Sequence, residues 1–468
     1  MVSAGCKHER GHIVDSRFFG AGYATEASRR IFCDVCRFQR WLDVEAALAS
    51  SQAEVGLIPP EAACAIAAAA SVDRMDLEQV RTEIARTGHS LVGLLAALQR
   101  ACAADAGQYV HRGATTQDIE DTAQCLEMRD VLDELDRLLA PLVSDLAGLA
   151  ETHRGDLALG RTHAQPALPM GFGLKAAGWV DEVLRDGERL EQVRARVLVA
   201  QLFGGVGTMA GFDGRGDRLI RAFAGRLGLT VPRVGWHTAR DRVAEYVCAL
   251  AVTAGTLGRI ADELRTLSRP EFGEVGLPWR LGTVGSSTMP HKRNPEGCEQ
   301  VVALARLAAS EVGPALCAMA GDHERDGRAL RLEWACVPDV SHYTLAAAAT
   351  LAQVVTGLIV HRDRLSANVR AVRDDVCTER LMLLIAGQIG ARSAHAWVYD
   401  RSQNARTRGL CLKEELLADG EVLRYLTTEQ VDEVFEPAHY LGESERLVQG
   451  VVGEARQWLN ERVAWKPA

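Results

Sequence analysis

The residues best suited to chemistry lie in one glycine- and serine-rich stretch, GTVGSSTMPHKRNPE, at positions 282–296. The stretch offers paired hydroxyls at Ser286 and Ser287, free backbone N–H groups, and a cation at Lys292. Hydroxyls and oriented amides bind a carboxylate, and a nearby cation favours removal of an adjacent proton. The pattern predicts a site that binds and deprotonates a carboxylate or, on the plainer interpretation, a polar turn between helices.

Three segments favour the first interpretation because they resemble, in order, the signature regions of the fumarase/aspartase superfamily. GSSTMPHKRNP at 285–295 resembles the GSSxMPxKxNP signature at every specified position. HRGATTQDIEDT at 111–122 resembles the first signature region, and GRTHAQPALP at 160–169 resembles the second. The superfamily includes adenylosuccinate lyases, argininosuccinate lyases and 3-carboxy-cis,cis-muconate cycloisomerases, and the likeness runs from about residue 15 to the C-terminal helices.

The resemblance implies both an architecture and a reaction. The fold would be a mainly helical homotetramer around a central bundle of long helices, with each active site assembled from three subunits. The reaction would be a β-elimination from a small anionic dicarboxylate that releases fumarate, with no cofactor and no metal ion.

The resemblance also assigns catalytic roles. Ser286 would be the base, and it must work as an alkoxide in a positive, dry pocket because a neutral hydroxyl is a poor base. Lys292 and the loop N–H groups would supply the positive field, while Asn294 and Ser287 would hold the carboxylate. His163 matches the general acid, and a purely structural histidine is the alternative.

The other substrate-binding residues implied by the resemblance are Thr115, Thr116, Gln165, Met289, His89 and Arg325. The two threonines would hold a carboxylate from the opposite side, and Gln165 would add a donor. His89 would lie near the leaving group, or would be a satisfied interior residue. Arg325 would contact an anion, or would belong to an ion-pair network.

Two segments bear on the substrate. The stretch HERDGRALRLEW at 323–334 lacks the serines that grip a nucleotide phosphate in adenylosuccinate lyases, and Trp236 replaces their usual glutamine. Both features resemble the cycloisomerase branch, whereas His163 is the lyase form. We expect nitrosuccinate, which yields fumarate and nitrite, as the leading substrate. Adenylosuccinate lysis, a cycloisomerase, another succinyl lyase and a non-catalytic homologue are the alternatives.

Composition favours a soluble protein with no nucleic-acid or membrane partner. The net charge is −9, the cations are scattered, and 47% of residues are apolar. The apolar stretch 343–360 is rich in small residues, which predicts a buried packing helix rather than a membrane span. The GxGxxA pattern at 205–210 lacks the strand that a dinucleotide site needs, and so predicts a turn.

The 12 cysteines are expected to be reduced, buried thiols of a cytoplasmic protein, because a 468-residue chain has a large enough core without disulfides. Cys33 and Cys36 form a CxxC motif, with Cys6, His8 and His12 upstream. A zinc site there is the less favoured alternative, because no second CxxC pair completes it.

Helical periodicity predicts an all-α fold. Apolar residues recur at three- and four-residue spacing over 29–54, 117–154, 172–199, 240–269, 298–319 and 342–365. We expect an N-terminal helical domain at 1–112, a central long-helix bundle at 113–364 and a C-terminal helical domain at 365–468. Glycine and proline clusters between the helices are the expected sites of chemistry.

Overall fold

The chain is built mainly of helices, and the computed structural model describes residues 11–464. In chain order the helices are α1 (Glu26–Phe32), α2 (Asp34–Glu54), α3 (Pro60–Ala69), α4 (Leu77–Thr87), α5 (Val92–Ala101), α6 (Thr116–Thr152), α7 (Phe172–Val197), α8 (Gly216–Leu227), α9 (Asp241–Leu267), α10 (Glu296–Ser310), α11 (Val312–Cys317), α12 (Gly327–Thr356), α13 (Arg362–Ala371), α14 (Arg373–Val376), α15 (Thr378–Ile389), α16 (Ala391–Arg408), α17 (Leu412–Asp419), α18 (Thr428–Val434) and α19 (Ser444–Ala464). The predicted all-α class is confirmed.

Four short strands accompany these helices within the described residues. They are β1 (Leu157–Thr162), β2 (Gln165–Gly171), β3 (Val275–Gly276) and β4 (Ile359–Val360). β1 pairs antiparallel with β2, and β3 pairs antiparallel with β4. The first hairpin was not predicted, because its strands contain glycines and prolines that indicate a loop.

The predicted packing helix exists, but its predicted bounds were wrong. It was expected at 343–360, within a periodic segment at 342–365, whereas α12 runs from Gly327 to Thr356. Asp326 accepts the backbone N–H of Arg328 at 2.9 Å and so caps the helix start. At the other end, a Cβ on Gly357 would lie 2.6 Å from the Pro278 side chain, so only glycine fits where the chain leaves the helix. Residues 343–348 are all buried, as a packing helix requires.

The chain forms two compact units, each made of three stretches. The first unit comprises Met1–Leu139, Asp186–Gly258 and Gln300–Thr350, and the second comprises Ala140–Arg185, Arg259–Glu299 and Leu351–Ala468. The boundaries fall inside α6, α7, α9, α10 and α12. The division into 1–112, 113–364 and 365–468 stays a prediction.

The second unit has a core in its C-terminal part, where Leu159 of β1 packs with buried residues from α13 to α18. In the described part of the chain, one helix, α9, is long and apolar enough to span a membrane. Of its most apolar window, 67% is buried in the structure, as in a core helix.

The 11 cysteines within residues 11–464 are all free thiols, in line with the expected reduced state. Burial was expected for all of them, but it holds fully only for Cys125, Cys298, Cys336 and Cys377. Cys33, Cys64 and Cys317 are exposed. Cys6 and His8 lie outside the described residues.

Candidate active site

In the first unit, Asp118 organises the first signature segment at the start of α6. Its carboxylate is fully buried and accepts the backbone N–H groups of Thr115 at 3.0 Å, Phe203 at 3.0 Å and Gly204 at 2.9 Å. His237 Nε2 lies 2.9 Å from the same carboxylate. One side chain therefore fixes the Thr115 turn against the glycine-rich loop that follows α7.

Arg325 joins this cluster from the segment before α12. Its guanidinium donates to Thr115 Oγ1 at 2.5 Å and to the carbonyl of Gly205. Both of these hydrogen bonds go to neutral oxygens, so the Arg325 charge is available to an anion bound at Thr115. The neighbouring Asp326 holds the segment in place, and the Arg328 guanidinium and backbone N–H groups keep the pKa of Asp326 below its usual range.

His89 lies against the second threonine of the pair. Its Nδ1 is 3.4 Å from the backbone nitrogens of both Leu91 and Val92, and its Nε2 is 3.4 Å from Thr116 Oγ1. Because Nδ1 faces two N–H donors, the geometry assigns the ring proton to Nε2. Both ring nitrogens are therefore engaged with the protein.

Glu120, one turn along α6 from Thr116, supports the same segment, and the sequence analysis missed it. Its carboxyl accepts the Ser90 hydroxyl hydrogen bond, and the residue is 5% exposed. Burial raises the pKa of Glu120 to about 7. The Ser90 hydrogen bond and the Arg37 charge oppose this shift, whereas the Asp121 charge adds to it. Glu120 therefore titrates near neutral pH while it positions the His89–Ser90 segment.

A buried ion triad braces the elements of this cluster. The Arg240 guanidinium donates to both oxygens of Asp121 at 2.9 Å and to Glu333 at 2.7 Å, and all three side chains are 0–1% exposed. Trp236 is 2% exposed, and its indole donates to the carbonyl of Ala200 at 3.0 Å. Trp236, which resembles the cycloisomerase branch in the sequence, is thus an interior residue.

In the second unit, His163 lies at the tip of the β1–β2 hairpin. His163 and Ala164 form its two-residue turn, with φ of 49° and 62°, where L-residues with side chains are strained. Arg161 anchors the hairpin through Glu274, which is 1% exposed, at 2.5 and 3.1 Å. Asn368 donates to the same carboxylate at 2.8 Å. His163 itself is exposed.

The signature loop of the second unit closes around Ser286. Its hydroxyl oxygen accepts the backbone N–H groups of Thr288 at 3.3 Å and Met289 at 3.1 Å. Asn294 Nδ2 donates to the carbonyl of Gly285 at 2.6 Å, which clasps the two ends of the loop together. Two amides directed at one hydroxyl oxygen favour its anionic form.

Gly285 is required where the loop folds back on itself. A Cβ at this position would lie 2.2 Å from the carbonyl oxygen of Lys292. The Ser287 and Lys292 side chains are exposed beside this contact. The loop thus presents hydroxyls and a cation from one tightly folded backbone.

The structure groups the predicted site residues by unit. The first unit brings together Thr115, Thr116, His89 and Arg325. The second unit holds two groups. The hairpin carries His163 and Gln165, and the signature loop carries Ser286, Ser287, Met289, Lys292 and Asn294. Their roles toward a substrate stay predictions.

Sequence reasoning missed the residues that support these groups, namely Asp118, Glu120, Asp121, His237, Arg240, Glu333, Arg161 and Glu274. One signal was available for part of this set. The stretch QDIEDT places three acids within four residues of an apolar helix, a pattern that indicates buried, partnered carboxylates. Nothing local to Arg161 or Glu274 identifies them as partners, because 113 residues separate them.

Glu120→Gln should stabilise the protein at alkaline pH. The folded-state pKa of Glu120 is raised to about 7, so the folded state binds this proton more tightly than the unfolded state. Its contribution to stability is therefore lost as pH rises from about 4.5 to 7, by at most roughly 3 kcal/mol. Glutamine keeps a partner for Ser90 but cannot ionise. Above pH 7, the melting temperature of the variant should rise relative to that of wild type, whereas near pH 4.5 it should show no such rise.

The control is Glu151→Gln, which removes an exposed carboxylate of the same helix. Its melting curve should parallel that of wild type at every pH. Parallel curves for Glu120→Gln would contradict the assigned titration.

Arg161→Met should destabilise the hairpin that carries His163. It leaves the buried Glu274 carboxylate without its cation, a change that costs about 3–5 kcal/mol in comparable pairs. Adding Glu274→Gln in the same chain should recover much of that loss, because no unpaired charge then remains. Urea unfolding of the two single variants and the double variant measures the coupling. Additive losses would show that the pair does not act as a unit.

Comparisons with known proteins match most of the chain to lyases. A family model described as "Lyase" matches residues 21–309, more than half of the chain, and one described as "Adenylosuccinate lyase C-terminus" matches residues 376–451. The N-acetyl-S-(2-succino)cysteine lyase of Dickeya dadantii (strain 3937) is 35% identical over 94% of this chain and 97% of its own length. The adenylosuccinate lyase of Pyrococcus horikoshii is 37% identical over 94% of this chain and 97% of its own length.

A solved structure extends the likeness to three dimensions. The 3-carboxy-cis,cis-muconate lactonizing enzyme from Pseudomonas putida superposes with a TM-score of 0.87 at 33% identity, over 95% of this chain and 100% of that one. The sequence identity, the coverage and the shared fold lead to one conclusion. The chain belongs to the fumarase/aspartase superfamily of lyases, in the branch that holds adenylosuccinate lyases and 3-carboxy-cis,cis-muconate cycloisomerases.

Proposed function

We propose that this lyase removes a proton from a small 2-substituted succinate, expels the substituent from the neighbouring carbon and releases fumarate, with nitrosuccinate as the leading substrate. The observation that carries the proposal is the Ser286 hydroxyl, whose oxygen accepts two backbone N–H groups at 3.3 and 3.1 Å. The same donors stabilise an alkoxide, which is the form that can act as a base.

The proposed elimination begins at Ser286. The Ser286 alkoxide takes the proton, the C–H electron pair forms the new double bond, and the bond to the leaving group breaks with its electrons. Charge develops on the adjacent carboxylate in the transition state, and Lys292 and the loop amides stabilise it. Thr115, Thr116 and Arg325 would hold the second carboxylate, which accounts for the Arg325 charge beside Thr115.

The segment after Arg325 favours a substrate without a nucleotide phosphate. Arg328 is committed to Asp326 at 2.9 Å and to Asp322 at 2.6 Å. Arg331 donates within its own helix to the carbonyl of Gly327 at 3.0 Å. A buried phosphate dianion would thus find few free partners here, and an unpaired buried anion is costly. Adenylosuccinate is therefore disfavoured as the substrate.

The surroundings of His89 favour a leaving group that departs as an anion. Both of its ring nitrogens are engaged, Nδ1 with backbone amides and Nε2 with Thr116. An amine needs a proton to leave, whereas nitrite is a weak base that needs little acid assistance. Nitrosuccinate meets this condition.

An S-succinylated small thiol is the second candidate. The Dickeya dadantii relative is named for such a substrate and aligns with 94% of this chain. Its carbon skeleton is the same, but a thiolate is a stronger base than nitrite, so its departure gains more from a general acid. For either substrate we propose a homotetramer in which the hairpin, the loop and the Thr115 cluster of a site come from different protomers.

Nitrosuccinate, N-acetyl-S-(2-succino)cysteine, adenylosuccinate and carboxymuconate, each incubated with pure protein, should separate the candidates. We expect fumarate absorbance with an equal amount of nitrite from nitrosuccinate. Release of a free thiol with fumarate would favour the second candidate. Turnover of adenylosuccinate or carboxymuconate alone, or of nothing, would contradict the proposal, and the last result would indicate a non-catalytic homologue.

Ser286→Ala should lower kcat by roughly 10³-fold or more, because it removes the proposed base. Ser287→Ala is the matched control in the same loop and should act mainly on KM, since Ser287 is assigned to carboxylate binding. Steady-state fumarate release from both variants, with circular dichroism to check folding, makes the comparison. Near-normal kcat in Ser286→Ala would refute its role.

His163→Asn should discriminate between the leaving groups. With nitrosuccinate we expect kcat to fall less than about tenfold, whereas an amine or thiolate leaving group should lose about 10²-fold or more without an acid. The ratio of the two losses, measured on one enzyme preparation, is the readout. Equal losses on both substrates would show that His163 does not protonate the leaving group.

A further inference from the structure

Two cysteines at the start of α2 take no part in the proposed reaction. Cys33 is the last residue before the helix, and its sulfur accepts the backbone N–H of Cys36 at 3.3 Å. Cys33 is exposed and Cys36 is half-buried. The hydrogen bond places the Cys33 sulfur at the first turn of α2, next to the residue with which it could form a disulfide.

The two thiols interact unequally. The pKa of Cys36 is raised, first because its thiol hydrogen-bonds with Cys33, then by burial and by the charge of Cys33, while Arg40 and Arg30 oppose the shift. The exposed Cys33 sulfur accepts the backbone N–H of Cys36, while Cys36 holds its own proton more tightly than an ordinary thiol. An exposed acceptor sulfur beside a protonated partner is the arrangement of an attacking thiol and a resolving thiol.

The surroundings leave room for a reagent. Cys33 lines a cavity of about 740 Å³ in the first unit. Arg29 and Arg37 provide cationic groups on its wall, Asp15, Asp34 and Asp339 provide anionic groups, and His12 and His342 also face it. Such mixed charge suits a zwitterionic peptide that carries several carboxylates.

No other cysteine among residues 11–464 has both properties. Cys64 and Cys317 are exposed but have no cysteine within a helical turn. Cys125, Cys298 and Cys336 are buried, and burial raises their pKa to about 12.

We propose that Cys33 and Cys36 form a reversible disulfide by exchange with a small peptide disulfide such as oxidised glutathione. The Cys33 thiolate attacks one sulfur of the reagent, forms a mixed disulfide and releases one peptide thiolate. Cys36 then loses its proton to solvent, attacks the Cys33 sulfur, forms the Cys33–Cys36 bond and releases the second peptide thiolate. The two cysteines are oxidised, and the peptide disulfide is reduced to two thiols.

The position of the pair connects it to the candidate site. Arg37, the residue after Cys36, holds the buried Glu127 of α6 at 2.9 and 3.1 Å. Arg40, one turn further, pairs with Asp130 of the same helix. Oxidation therefore acts at the end of a helix that braces α6, whose first turn carries Thr116.

The test uses the full-length protein in glutathione buffers of defined ratio, followed by alkylation of the remaining thiols and peptide mass mapping. We expect the peptide containing Cys33 and Cys36 to lose two hydrogen atoms, to resist alkylation at the oxidising ratios, and to regain both thiols when reduced. Cys36→Ser should stop at a glutathione adduct on Cys33, and Cys33→Ser should form neither product. This outcome is independent of the substrate of the enzyme.

Cys64→Ser is the matched control, since it removes an exposed lone cysteine, and it should leave the Cys33–Cys36 disulfide unchanged. The proposal is overturned if both thiols stay alkylatable under conditions in which Cys64 and Cys317 take up glutathione. It is also overturned if Cys33 pairs with any cysteine other than Cys36. Wild-type mapping alone decides these outcomes if a serine variant fails to fold.

Discussion

Three charged side chains, Arg240, Asp121 and Glu333, lie in the interior of the first unit with at most 1% of each exposed. Removing such groups from water costs several kcal/mol per ion, which only close mutual pairing offsets. Although burial lowers the pKa of Arg240, the two carboxylates raise it further, so the arginine stays charged. None of the three can move without leaving another unpaired. The starts of α6, α9 and α12 are therefore held in one arrangement.

The candidate site depends on this constraint, because its residues lie only a few positions along the chain from the buried ions. Asp118, three residues before Asp121 on α6, fixes the Thr115 turn and the Gly204 loop, and the segment before α12 directs Arg325 onto Thr115. In the second unit the Arg161–Glu274 pair plays the equivalent part for the His163 hairpin. The candidate binding groups lie on turns that are positioned by buried charges on rigid elements. Such an arrangement would keep their geometry with little flexibility to lose on binding.

Periodic burial made most of the fold predictable from sequence. Apolar spacing identified α6, α7 and α9 to within a few residues, because each buries one continuous stripe. It misplaced α12, since the cap at Asp326 and the close approach at Gly357 depend on contacts that spacing does not record. The β1–β2 hairpin was missed for a different reason, because its strands contain glycines and prolines that indicate a loop.

The residues of the candidate site also differ in how far the sequence could predict them. Residues such as Ser286, Lys292 and Thr115 stand in uninterrupted motifs, so the sequence alone was enough to predict them as site residues. The residues that support them do not stand in motifs. Arg161 and Glu274 are a pair only in three dimensions, and the pKa of Glu120 is raised by burial that no local sequence pattern reveals. Residues that would meet the substrate were thus easier to find than the residues that position them.

The contacts of Gly285 with Asn294 and Lys292 limit how the signature loop can change in evolution or by design. The Gly285 carbonyl is held by Asn294, and its α-carbon rests against the carbonyl of Lys292, so the number of residues between the two ends is fixed by geometry. An insertion or deletion there would break both contacts at once. New substrate ranges in such a protein would have to come from exchanging side chains on a loop of constant length.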